Sequence, residues 1–164
     1  MKEKKFGDAK IGVMIETPSA VMLADEFAKY VDFMSIGTND FTQYTLAVDR
    51  TGIETPTFFD HIHPSVLRLV KHTINVIKNM KVELSICGES ASDIYAIPIL
   101  IGLGIRKFSV SPLLIPFVKH VIRLFTINEL KELANEALKT GSSQKIRKLV
   151  KEFYVKKRIS LPIF

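Results

Sequence analysis

Tryptophan is absent from the 164 residues, and cysteine occurs once, at Cys87. A lone thiol cannot close an internal disulfide, which excludes the small sulfur-stapled secreted folds and suits a reducing compartment. No apolar run approaches the roughly 20 residues that a membrane span needs. The N-terminus, Met1-Lys-Glu-Lys-Lys-Phe-Gly-Asp8, has charges with no apolar signal core behind them. A soluble, cytoplasmic protein without membrane insertion is expected. Low-complexity segments and internal linkers are also missing, and 47% apolar residues suffice for a continuous core, so 1–164 reads as one domain.

Acidic residues are scarce at one end. Eight Lys or Arg residues lie between Lys139 and Arg158 against the single acid Glu152, and they account for much of the net charge of +6. Ile146, Leu149, Val150 and Phe153 interleave with them at helical spacing, which predicts a basic helix over about 142–158 with its charges on a solvated outer face. No aromatic platform or glycine-rich reading loop accompanies the charge, so no nucleic-acid partner is expected.

What the chain does contain is a repeated alternation of short apolar run, polar turn and longer helical pattern. The runs are Ile11–Ile15, Val31–Ile36, Val82–Ile86 and Lys107–Val110. The first of them lacks a polar–apolar alternation, as a strand buried on both faces does. Thr17-Pro18 is an N-cap and first-turn pair for the first helix, which carries Val21, Ala24, Ala28 and Val31. A helix from about Ser65 to Asn79 presents Val66, Val70, Thr73 and Ile77 on one face, and further helices are expected over Ile94–Leu100 and about Ile115–Leu124. Thr126 and Glu129 form a capping box for a helix over Ile127–Lys139. Such alternation predicts an α/β fold with a parallel sheet, and the right-handed crossover rule puts every strand end on one side.

Polar residues sit directly after the runs: Glu16, Asn39 and Asp40 after Gly37, then Cys87 and Glu89. In parallel α/β folds that side is where ligands bind. Two carboxylates from neighbouring strand ends, Glu16 and Asp40, suit a hard divalent cation such as Mg²⁺, with water and substrate oxygens completing the shell; alternatively each caps a helix or accepts from a turn. Arg50 ends a segment, Phe41–Asp49, that returns along the rim either to grip a phosphate or to pair with a local acid. Cys87 is either a packing residue or a reactive group. No histidine is adjacent to it, and the nearby Glu89 disfavours a thiolate, so a reactive Cys87 is a proton donor rather than a nucleophile. His61 and His63, two apart, form at most a weak metal pair.

Gly12–Ala20, Asp32–Arg50, His63–Val70, Cys87-Gly-Glu-Ser-Ala91 and Ile97–Gly104 resemble, in order and spacing, the C-terminal region of enzyme I of the bacterial phosphoenolpyruvate:sugar phosphotransferase system, over about residues 11–150. Pyruvate phosphate dikinase and phosphoenolpyruvate synthase share the Glu, Asn-Asp and Cys-Gly-Glu elements, so a fragment of either is the alternative family reading. The resemblance implies the last four βα units of a (β/α)8 TIM-type barrel with extra C-terminal helices. It implies Glu16 and Asp40 as Mg²⁺ ligands, Asn39, Asp40 and Arg50 as substrate contacts, and Cys87 as the acid that protonates the enolate to pyruvate. It further implies a homodimer and phosphoryl transfer from phosphoenolpyruvate to a histidine on a separate N-terminal domain, then to a small phosphocarrier protein for sugar uptake. Alone, such a fragment is expected to be catalytically inactive and to expose strand edges and an apolar interior, which favours self-association. A non-catalytic dimerisation or interaction module is the rival from another class. Ser90 and Ser92 stand where the family usually has Met and Gly, and Pro-Leu-Leu-Ile-Pro116 also departs from its pattern.

Overall fold

The computed structural model describes residues 9–49 and 59–159. Strand β1 (Gly12–Ile15) leads through Glu16 into α1 (Pro18–Met22). The Thr17 hydroxyl accepts from the Ala20 N–H and Pro18 opens the first turn, as the dipeptide predicts. The long helix expected next is instead two short pieces, because Leu23 breaks the winding before α2 (Ala24–Phe27). Then follow β2 (Phe33–Gly37), α3 (Thr38–Leu46), α4 (Pro64–Ile77), β3 (Glu83–Cys87), a 3₁₀ turn over Glu89–Ala91 and α5 (Ala96–Leu103). Strand β4 (Lys107–Phe108), α6 (Ile115–Arg123), α7 (Ile127–Lys139) and α8 (Ser143–Lys156) complete the described chain. None of the described helices is long and apolar enough to cross a membrane.

The strands form one parallel sheet in the order β1-β2-β3-β4. Ile15, Ile36 and Ile86 stand in register across β1, β2 and β3. Side chains alternate faces along a strand, so the three isoleucines share one face with Met34, and all four are fully buried. Helices cover that face: Val66, Leu67 and Val70 of α4, Leu103 of α5, Leu133 and Ala137 of α7, and Ile146 and Val150 of α8 join the same core cluster. Truncating any one of the isoleucines to Ala costs about 2–5 kcal/mol, because the cavity is walled by fixed elements.

The opposite face carries Gly12 and Met14, Phe33 and Ser35, Ser85 and Cys87. Met14 and Phe33 are 47% and 41% exposed. The Phe33 ring lies across Gly12, in the space that any Cβ there would fill. This face is not wholly apolar. Glu83 pairs with Lys107 on this face, and the Ser85 hydroxyl donates to the Met34 carbonyl at 3.2 Å.

The C-terminal helices are tied in tightly. Gly102 lets α5 approach the backbone of α7, since a Cβ there would collide with the Leu130 carbonyl. The capping box is present in both directions: the Thr126 hydroxyl accepts from the Glu129 N–H, and the Glu129 carboxylate accepts from the Thr126 N–H. One basic residue of α8 departs from the solvated-face expectation. Arg147 donates to both oxygens of Asp60, from Nε at 2.9 Å and from Nη2 at 2.8 Å, with its guanidinium over the Tyr95 ring. The fully buried Tyr154 donates its phenol to the Ile94 carbonyl at 3.0 Å, and burial pushes that phenol above its ordinary range.

Candidate active site at the strand ends

The register that aligns the core also gathers the polar residues. Gly37 is the in-register partner of Cys87, and Glu16 follows Ile15, the partner of Ile36. The Glu16 side chain lies over Gly37: a Cβ at that glycine would sit 2.5 Å from Glu16 Oε1. Glycine at 37 therefore makes a cradle for the carboxylate that any other residue would fill. Gly37 also gives α3 no side-chain cap, so the positive end of that helix faces the mouth without one.

Most of the segment Phe41–Asp49, expected to return along the rim, is helical: α3 begins at Thr38, directly after the strand, and holds Asn39 and Asp40 in its first turn. Helical winding fixes what these side chains reach. The Thr38 hydroxyl donates to the Cys87 carbonyl at 2.8 Å, and Asn39 Oδ1 accepts from the Glu89 N–H at 3.0 Å. Gly88, between those two partners, has φ +87° and ψ −170°. That conformation favours glycine, and a Cβ there would meet Thr38 Oγ1 at 2.5 Å. Glu16, Asn39, Asp40 and Cys87 thus lie at one end of the sheet. Arg50 lies outside the described residues.

Cys87 turns its thiol toward the sheet face opposite the isoleucines. The Ser35 hydroxyl donates to Sγ at 3.5 Å, and the thiol proton can go to the Ile36 carbonyl at 3.6 Å or to Met14 Sδ at 3.7 Å. An open depression of ≈ 440 Å³ adjoins it, bounded by Asn39, Cys87, Glu89, Ser92 and the Ser109–Ser111 segment after β4. A small anionic ligand has room there beside both the thiol and the first turn of α3.

His61 and His63 do not act as a pair. His63 caps α4, its Nδ1 accepting from the Ser65 N–H at 3.3 Å. His61 reaches the site instead, with Nδ1 3.1 Å from Thr42 Oγ1 and Nε2 3.4 Å from Glu89 Oε2. Sequence alone hid this contact because 28 residues separate His61 from Glu89. The only sequence signal was the position of both residues next to predicted turns.

Among the described residues no group of three or more His, Cys, Asp or Glu side chains is gathered to hold a metal ion. The local donor set is two carboxylates, Glu16 in its glycine cradle and Asp40 in the first turn of α3. Such a pair fits a hard cation that keeps most of its shell for water and substrate oxygens, as Mg²⁺ does, and does not fit a metal that needs a complete protein cage.

Residues 1–127 match the family model described as PEP-utilising enzyme, PEP-binding domain. The phosphoenolpyruvate-protein phosphotransferase of Mycoplasma genitalium is 45% identical over 156 residues, which is 95% of this chain and 27% of that protein. The proteins of the same name from Buchnera aphidicola and Staphylococcus carnosus are 43% and 42% identical over 88% and 89% of the chain, and 25% and 26% of their own lengths. The chain spans about a quarter of the length of the curated relatives it matches.

Proposed function

The chain belongs to the PEP-utilising enzymes, in their PEP-binding domain, and on that premise we propose that it forms part of a phosphoenolpyruvate-protein phosphotransferase. Four βα units with helices on one sheet face and Met14, Phe33 and Cys87 on the other support reading it as the last four units of a TIM-type barrel. In the whole enzyme the phosphoryl group would pass to a histidine on an N-terminal domain, then to a small phosphocarrier protein serving sugar uptake.

Each residue's part follows from its place. Glu16 and Asp40 would hold Mg²⁺, which when bound neutralises the phosphate charge and stabilises the enolate left after transfer. Asn39, Asp40, Arg50 and the positive end of α3 would orient phosphoenolpyruvate. Asn39 is pre-aimed by its bond from the Glu89 N–H, so it loses little freedom when substrate arrives. The Cys87 thiol, fixed by Ser35, would give its proton from Sγ to the methylene carbon of the enolate, completing pyruvate.

The observation that carries this reading is the convergence of Glu16, the first turn of α3 and Cys87 at one sheet end through the register of β1, β2 and β3. Calorimetry of phosphoenolpyruvate with Mg²⁺ tests it. Binding is expected in the wild type and in Cys87→Ser, and is expected to vanish in Glu16→Gln and Asp40→Asn; equal heats in all four proteins would overturn it. The exposed sheet face, with Met14 and Phe33 on it, supports a second reading in which the chain also self-associates. A concentration-independent monomer in light scattering would exclude that.

A further inference from the structure

His61 is the one histidine that touches the strand-end cluster among the described residues, and neither the metal nor the proton step uses it. Its side chain is only 9% exposed, and the Phe59 ring packs edge-on against it at 5.1 Å. Its two nitrogens face two different elements: Nδ1 lies 3.1 Å from Thr42 of α3, and Nε2 lies 3.4 Å from Glu89, whose carboxylate is 70% exposed. A carboxylate can only accept, so Nε2 carries a hydrogen, and in the neutral ring the Thr42 hydroxyl then donates to Nδ1. Thr42 is fully buried and stands three residues along α3 from Asn39, which already accepts from the Glu89 N–H at 3.0 Å.

The contacts close a ring: Asn39 to the Glu89 backbone, the Glu89 carboxylate to His61, His61 to Thr42, and Thr42 back along the helix to Asn39. We infer that His61 is a positioning residue for the Cys87 thiol, acting through Glu89 to lock the Cys87-Gly88-Glu89 turn onto α3. Without His61 the Glu89 side chain has no other hydrogen-bond partner among the described contacts, and across to α3 the turn is held only through the Thr38 and Asn39 bonds, beside its own 3₁₀ bonds from Ala91 and Ser92. Gly88 gives the lock its value: Cys87 is held by the β2–β3 ladder, but the glycine after it leaves the Glu89 side of the turn, which bounds the space beside the thiol, freer to shift. The functional value of the lock rests on the acid role proposed for Cys87; the lock itself does not.

Cys87 is the sole cysteine, so iodoacetamide labels one position and mass spectrometry reads its rate directly. His61→Ala is expected to speed labelling by roughly three- to fivefold, the scale of one lost hydrogen bond, and Glu89→Ala by at least as much, because it also removes a negative charge near the thiol. In the Glu89→Ala background His61→Ala is expected to add nothing further, because His61 acts only through Glu89. Unchanged labelling in His61→Ala, or additive effects in the double variant, would overturn the inference. A second measurement needs no variant: long-range ¹H–¹⁵N spectra of the wild type should show His61 with its hydrogen on Nε2, and a hydrogen on Nδ1 in the neutral ring would equally overturn it. Neither experiment contains Mg²⁺ or phosphoenolpyruvate, so a failure here is distinct from a failure of the proposed function.

Discussion

Asn39 Oδ1 accepts the Glu89 backbone N–H at 3.0 Å, which fastens the first turn of α3 to the turn that carries Cys87. One residue thereby links the proposed metal and phosphate end of the site to the thiol end. Asn39→Ala is expected to lower stability by about 1 kcal/mol, as it removes the acceptor from that N–H. Asn39→Asp, which keeps an acceptor at the same reach, should restore most of the loss. Urea denaturation of the three proteins checks both outcomes.

Gly102 is the point where α5 meets the α7 backbone. Gly102→Ala should be among the most damaging single-carbon additions in the chain, costing about 1–3 kcal/mol or more, since the obstacle is the Leu130 carbonyl and not a movable side chain. Gly141, whose added Cβ would meet nothing within 4 Å, is the control: Gly141→Ala should change the melting temperature little.

Ser90 is 2% exposed and its hydroxyl has no hydrogen-bond partner among the described residues. A buried hydroxyl without a partner is costly. Ser90→Ala is expected to stabilise the fold by about 1 kcal/mol, which at this chain length is a rise of about 2–4 °C in melting temperature. Scanning calorimetry would show it.

Glu129 gives the fold a defined acid sensitivity. The hydrogen bond from Lys157, then those from the Thr126 N–H and hydroxyl, draw its carboxyl down from the ordinary 4.5 to about 2. A carboxyl depressed in the folded state adds stability that is complete above its unfolded value and is lost as pH falls through its folded one. The melting temperatures of the wild type and Glu129→Gln should therefore differ above pH 4.5 and converge as the pH approaches 2.

Much of this architecture is written locally and so can be read from the chain. The Thr17-Pro18 cap, the Thr126–Glu129 capping box and the buried stripe of Val66, Val70, Thr73 and Ile77 on α4 all depend on neighbours within a turn or two, and all occur where their spacing predicts. The alternation of strand and helix likewise foretells the parallel sheet. What the sequence conceals is long-range. The start of α3 at Thr38 depends on the Thr38–Cys87 bond across 49 residues, and the pairing of Arg147 with Asp60 spans 87. The site divides the same way: Glu16, Asp40 and Cys87 announce themselves by following apolar runs, whereas His61 acquires its place only when Thr42 and Glu89 are folded against it.

The claim that the strand ends form a metal-assisted phosphoenolpyruvate site is tested most directly by counting free Mn²⁺, as a paramagnetic substitute for Mg²⁺, by electron paramagnetic resonance with and without phosphoenolpyruvate. The account predicts weak Mn²⁺ binding by the chain alone, tighter binding when phosphoenolpyruvate is added, and loss of that enhancement in both Glu16→Gln and Asp40→Asn. The same enhancement in the wild type and in both variants would contradict it.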